Sequence, residues 1–211
     1  MIRVVVVDDH AMIRRGLRET LVEAGGIEVV GEAGAYPELR ELLRTVSCDV
    51  LLLDVNLPGR NGIEILKSLA EADISVKAVV LSLYPEDQYG IRALKGGAMA
   101  YLNKSAAPEQ IVLAVRSAAA GRRYVTAEIA QALVETVTGR AGDGAAHERL
   151  SEREMQTMLR IAHGEKLSEI ALALVLSPKT VSVYRARVLE KLGLHSNAGI
   201  AAYAVRNRLL D

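Results

Sequence analysis

The stretch LLLDVNLPGRNG, residues 51–62, combines two signals that seldom stand together. Three successive leucines read as a strand buried on both faces. They run straight into Asp54, and Pro58, Gly59 and Gly62 then break the chain into a turn. An isolated ionised carboxylate is strongly disfavoured away from water. Asp54 therefore belongs where a buried strand surfaces and where its charge is used.

Outward from this stretch, the first half of the chain repeats the same plan. IRVVVVDD (2–9), IEVVGEA (27–33), CDVLLLD (48–54), VKAVVLSL (76–83) and AMAYLNK (98–104) are short and apolar. Between them, 11–24, 37–46, 62–72, 86–96 and 108–119 have helical period. Five such strands alternating with five helices predict an open α/β domain with a parallel, doubly wound, flavodoxin-like sheet. Ligands of such sheets bind beyond the carboxyl ends of the strands. Strand one ends at Asp8 and Asp9, strand three at Asp54, strand four at Ser82, and strand five runs into Lys104. All of these polar groups are expected on one rim.

Composition narrows the class. The chain has 211 residues, half of them hydrophobic, which allows one large domain or two small ones and argues against wholesale disorder. Phe and Trp are absent and seven Tyr are the only aromatics, so the core is aliphatic. The single Cys48 cannot form an intramolecular disulfide and reads as a core thiol in a reducing compartment. No basic-then-apolar leader opens the chain and no apolar run reaches transmembrane length, so a soluble, cytoplasmic protein without a membrane partner is expected. Residues 1–121 hold 13 Lys/Arg against 16 Asp/Glu, and 122–211 hold 13 against 10. The opposite signs suggest two domains with different partners.

The rim has a chemistry of its own. Three gathered carboxylates raise one another's energy unless a cation joins them, and Mg²⁺ suits oxygen ligands of this kind. Lys104 makes sense there if an anion is held as well, and Ser82 adds a hydroxyl. The set fits phosphoryl transfer onto Asp54. Taken singly, each part has an ordinary reading: an acidic pair as a helix cap, Lys104 as a surface residue, Ser82 as a turn residue, Tyr101 as core. His10 reads as an exposed residue at a helix start. Their coincidence on one rim argues against all of these together.

VDDH (7–10), LLLDVNLPGRNG (51–62), VVLS (79–82) and AMAYLNK (98–104) resemble the receiver domain of bacterial two-component response regulators, with Ala100 where that family often has Gly. The resemblance implies that a sensor histidine kinase phosphorylates Asp54. It implies that Asp8, Asp9, Asp54 and the backbone carbonyl of Asn56 hold Mg²⁺. Lys104 would pair with the phosphoryl group, Ser82 would bond to it, and Tyr101 would turn inward as Ser82 moves. Pro58, Gly59 and Gly62 would shape the loop after the phosphorylation site.

From about residue 120 the pattern becomes helical. A short helix is expected over 126–137, a flexible linker over 139–148, and a wholly helical domain beyond. Ser151 with Glu154 predicts a capping box, Ser177 and Pro178 a helix start, Gly193 its stop, and a last helix covers about 197–209. The helix 178–192 places Val181, Val188, Leu189 and Leu192 inward and leaves basic and small polar residues for a DNA groove. LSERE (150–154), IAHGEKLSEIA (161–171) and LSPKTVSVYRARVLEKLGL (176–194) resemble the LuxR-type helix-turn-helix of the NarL/FixJ family. Ser168 and Ser182 stand where that family often has Lys, and Tyr184 where it often has His.

The organisation expected is a receiver at 1–121, a linker with a short helix at 122–149, and an all-α helix-turn-helix domain at 150–211. Lys179, Thr180, Ser182, Val183, Arg185, Arg187 and Lys191 are the candidate contacts to double-stranded DNA, with Arg206 a further phosphate contact. The function expected is transcription control by a phosphorylated homodimer, with no enzymatic activity beyond self-catalysed phosphoryl transfer and dephosphorylation. A regulator of the same fold acting independently of phosphorylation is the alternative. A phosphatase-type enzyme is disfavoured because Asn56 stands where a second carboxylate is needed. A flavodoxin-like binder of an anionic cofactor would face repulsion from three carboxylates.

Overall fold

The computed structural model describes the chain apart from residues 73, 75, 139–145, 208 and 211 and the side chains at 88 and 148. It divides into two units, Met1–Leu133 and Val134–Asp211. Most of the linker expected over 139–148 lies outside the described residues; its end, Ala146–Arg149, forms a short 3-10 turn.

The first unit runs β1 (Ile2–Val7), α1 (Ala11–Glu23), β2 (Ile27–Ala33), α2 (Tyr36–Thr45), β3 (Val50–Asp54), α3 (Gly62–Glu71), β4 (Lys77–Ser82), α4 (Glu86–Lys95), β5 (Ala100–Asn103) and α5 (Pro108–Ala119). Its strands form a parallel sheet in the order β2-β1-β3-β4-β5, the doubly wound arrangement expected. The winding reverses between β1 and β3, which opens a crevice at their carboxyl ends. Alternate strand residues, among them Val4, Val6, Leu52, Val79, Leu81 and Leu102, pack with Leu17 and Leu21 of α1 and Ile111, Ala114 and Val115 of α5. Their neighbours Val5, Val7, Leu51, Leu53 and Val80 are equally buried and point to the other face. That double burial explains the unbroken apolar runs.

The turn after β3 folds back on the strand it leaves. Asn61 caps α3: its side chain accepts from Ile63 N at 2.8 Å, while Glu64 accepts from Asn61 N at 3.3 Å. Gly62 donates to the Val55 carbonyl at 2.9 Å, and a Cβ on it would lie 2.3 Å from the Asp54 carbonyl oxygen. Only glycine allows this approach.

After α5 the chain returns along the outer edge of β5. Tyr124 N donates to the Met99 carbonyl at 2.9 Å. Helix α6 (Ala127–Val137) then starts against α4, with Ile129 buried where a Cβ on Gly90 would come within 2.4 Å of it.

The second unit holds α7 (Glu152–Ala162), α8 (Leu167–Leu174), α9 (Pro178–Leu192) and α10 (Asn197–Arg206). α7 packs against α9 and α10, and Ile170, Leu174, Val181, Val188, Ile200 and Ala204 are buried. α8 and α9 meet at 111° across the three-residue turn 175–177, the geometry of a helix-turn-helix. The expected caps form: Ser151 and Glu154 make the capping box, Ser177 Oγ accepts from Thr180 N at 3.0 Å, and Gly193 ends α9 at φ 64°. Among the described residues no single helix is long and apolar enough to cross a membrane.

Candidate functional site

The sheet ladder continues past the strand ends and holds the rim. Asp8 N donates to Ala33 O at 3.1 Å, Val55 N to Leu81 O at 3.1 Å, and Lys104 N to Ser82 O at 2.7 Å. On this frame the Lys104 ammonium lies 2.6 Å from Asp8 Oδ2 and 2.8 Å from Asp54 Oδ2. Both carboxylates are 1% exposed. The remaining oxygens are also engaged: Asp54 Oδ1 accepts from Asn56 N at 3.1 Å, and Asp8 Oδ1 from His10 N at 2.8 Å. Burial pushes the Asp54 carboxyl above its ordinary range; Lys104 opposes the shift and Asp8 adds to it. Burial works against the Lys104 ammonium, but attraction to Asp54 and Asp8 outweighs it and holds its pKa above the ordinary value.

One ligand atom from each of Asp8, Asp9, His10 and Asp54 lies within 4.8 Å of every other. The acidic cluster can therefore hold a metal ion, and its carboxylate oxygens suit a hard divalent cation. His10 belongs to the cluster although its side chain is 62% exposed, with Nδ1 2.7 Å from Asp9 Oδ1. Sequence reading set it aside, since nothing local separates it from any histidine at a helix start.

Ser82 and Tyr101 meet beside this rim, both fully buried. Ser82 Oγ accepts from Tyr84 N at 3.2 Å, and the Tyr101 hydroxyl donates to the Tyr84 carbonyl at 3.0 Å. Burial raises the Tyr101 phenol well above its ordinary pKa, against a hydrogen bond with Ser82. Two further residues close the group. Tyr84 Oη donates to Asn56 Oδ1 at 3.2 Å, tying the loop after β4 to the loop after β3. Glu86, in the first turn of α4, accepts from Asn103 N at 2.7 Å through one oxygen and from Thr126 Oγ1 at 2.5 Å through the other. These contacts are tertiary, and the sequence signalled neither.

In the second unit, Lys179, Ser182, Val183 and Arg187 are exposed on α9, and Thr180 is half-buried next to its cap. Arg185 is turned aside, its Nε donating to Asn197 Oδ1 at 2.5 Å. Lys191 is engaged within the unit, 2.6 Å from Glu154 Oε2 and 3.3 Å from the Arg149 carbonyl. Burial pushes the Glu154 carboxyl up, but the bonds from Lys191 and Ser151 outweigh it and hold it below the ordinary range. Arg206, on α10, donates to the Ala202 carbonyl at 3.4 Å.

Comparison with known proteins agrees with both halves. Residues 4–116 match the response regulator receiver domain family, and residues 148–204 match the bacterial regulatory proteins of the luxR family. The response regulator UvrY of Escherichia coli K12 is 38% identical over 211 residues, covering all of this chain and 97% of UvrY. The response regulator GacA of Pseudomonas aeruginosa is also 38% identical, covering all of this chain and 99% of GacA. In fold, RcsB from Salmonella enterica serovar Typhimurium, bound to the promoter rprA in the presence of phosphomimetic BeF3-, superimposes with a TM-score of 0.68 at 24% identity, over 96% of this chain and 97% of RcsB. With relatives aligned from end to end and both domain families matched in order, the chain belongs to the NarL/FixJ family of response regulators, a receiver domain followed by a LuxR-type DNA-binding domain.

Proposed function

We propose that this protein is the phosphorylation-controlled transcription regulator of a two-component system, acting in the cytoplasm. A sensor histidine kinase delivers a phosphoryl group to Asp54, and the product dimerises on promoter DNA. Reception belongs to 1–121 and DNA binding to 150–211, joined by 122–149. The observation that carries this reading is the Lys104 ammonium held between the Asp8 and Asp54 carboxylates at the mouth of the sheet crevice.

Asp8, Asp9, Asp54 and the Asn56 backbone carbonyl would hold Mg²⁺, matching a donor set of hard oxygens. When bound, the ion neutralises the acids and the oxygens of an incoming phosphoryl group. An Asp54 carboxylate oxygen attacks phosphorus and forms an acyl phosphate. The P–N bond of the kinase phosphohistidine breaks, and its electron pair stays on the imidazole, which takes up a proton. Lys104 exchanges a carboxylate for the new phosphoryl oxygens, and the Ser82 hydroxyl donates to them. Because the carbonyl of Tyr84 receives Tyr101 and its hydroxyl reaches Asn56, movement of the Ser82 loop is felt by both.

One observation favours a phosphorylation-independent regulator. Tyr101 is already buried and bonded to Tyr84, the inward position expected of the phosphorylated family member. DNA binding and sedimentation with and without acetyl phosphate plus Mg²⁺, for wild type and Asp54→Ala, separate the two. A single phosphoryl group, tighter dimers and stronger DNA binding only when Asp54 is present support the switch. Equal DNA binding in all four samples supports the alternative.

A further inference from the structure

The outward face of α9 is not a uniform basic surface. With 3.6 residues per turn, Lys179, Val183, Ala186 and Glu190 fall on one stripe, opposite the buried Val181 and Val188. All four are exposed, Val183 to 44%, and exposed Ser182 and Arg187 border them. Arg185 is off the stripe, held to Asn197, and Lys191 is held to Glu154. The middle of the presented face is thus two small apolar side chains, with a cation at its start and another at its flank.

A recognition helix lies in the major groove, where its outward face meets base edges. The apolar group displayed by base edges in the major groove is the C5-methyl of thymine. We propose that Val183 and Ala186 read thymine methyl groups, with Ser182 beside them and with Lys179 and Arg187 on the flanking phosphates. Glu190 limits the insertion, because its carboxylate is repelled by phosphate and faces outward at the far end of the same stripe. The contact therefore spans Lys179 to Arg187. This inference rests on the DNA-binding reading above and adds to it the chemical class of base that is read.

The test uses the full-length chain treated with acetyl phosphate and Mg²⁺. Bound sequences are selected from random duplex DNA, and each thymine of the selected site is replaced in turn by deoxyuridine, which lacks only the methyl. The expected result is a subset of thymines whose replacement weakens binding about fourfold each. Val183→Ser removes that sensitivity at one thymine and Ala186→Ser at another. Both positions are exposed, so an unchanged melting temperature confirms that the variants fold. If no thymine responds to deoxyuridine, or if both variants keep the wild-type pattern, the inference fails while DNA binding stands. If no sequence is bound at all, the DNA-binding reading fails with it.

Discussion

The rim of the first unit and the outward stripe of α9 use charge in opposite ways. At the rim, Asp8, Asp54 and Lys104 are nearly withdrawn from water, and each carboxylate lies within 2.8 Å of the ammonium. On α9, Lys179 and Arg187 stand in solvent. A buried charge is costly unless paired, so both carboxylates depend on Lys104, and removing that ammonium exposes the full penalty. An exposed charge contributes little to the fold and is free to serve a ligand. The same residue types thus store sensitivity in one unit and supply adhesion in the other. Lys191 marks the boundary between the two uses: it is basic and on the recognition helix, yet committed to Glu154.

The largest effect is expected from breaking the rim. Lys104→Met leaves two buried carboxylates facing each other and should cost about 3–5 kcal/mol in metal-free urea unfolding, with partial recovery in Mg²⁺. A cost below about 1 kcal/mol would place the rim with the solvated charges of α9. Next, Asp54→Asn should raise metal-free stability at neutral pH. Burial lifts the Asp54 pKa in the folded chain, which therefore holds this proton more tightly than the unfolded one. The Asp54 contribution to stability accordingly falls as pH rises from about 4, and that part of the pH profile should vanish in Asp54→Asn.

On α9 the effects are smaller and of another kind. Lys179→Ala and Arg187→Ala should each flatten the slope of log affinity against log salt by about 1 on any DNA sequence. Their unfolding midpoints should move little, within about 0.5 kcal/mol. A large stability loss from either would undo the contrast between the units. A last, modest effect belongs to the helix-turn-helix turn. Val175 is a β-branched residue at φ 54° and is 63% exposed. Val175→Gly should relieve that strain and stabilise the chain by about 0.5–1 kcal/mol in thermal unfolding.

What the sequence shows and what it hides divide along the range of the interactions. The apolar run into Asp54, the Ser151–Glu154 box and the Ser177–Pro178 start are local, and period and cap chemistry make them legible. Collecting Asp8, Asp54, Ser82 and Lys104 on one rim needs only the rule that parallel strands end on the same side. Glu86 reaching Asn103 and Thr126, or Tyr84 reaching Asn56, depends on how two loops lie against each other, and no spacing encodes it. The same holds for Arg185 and Lys191. Their residue type suits DNA, but partners 12 and 37 positions away in the chain decide where they point.

The return of the chain along β5 has a practical consequence for anyone isolating the phosphoacceptor half. A fragment ending at residue 121 would lose the Tyr124 amide from the β5 edge, the Thr126 hydroxyl from Glu86 and the Ile129 side chain from above Gly90. It would leave the Met99 carbonyl without this donor, an unfilled apolar notch and a glutamate free to release Asn103 beside Lys104. A fragment ending at residue 133 keeps all three, and is the length at which the rim chemistry can be compared fairly with that of the whole chain.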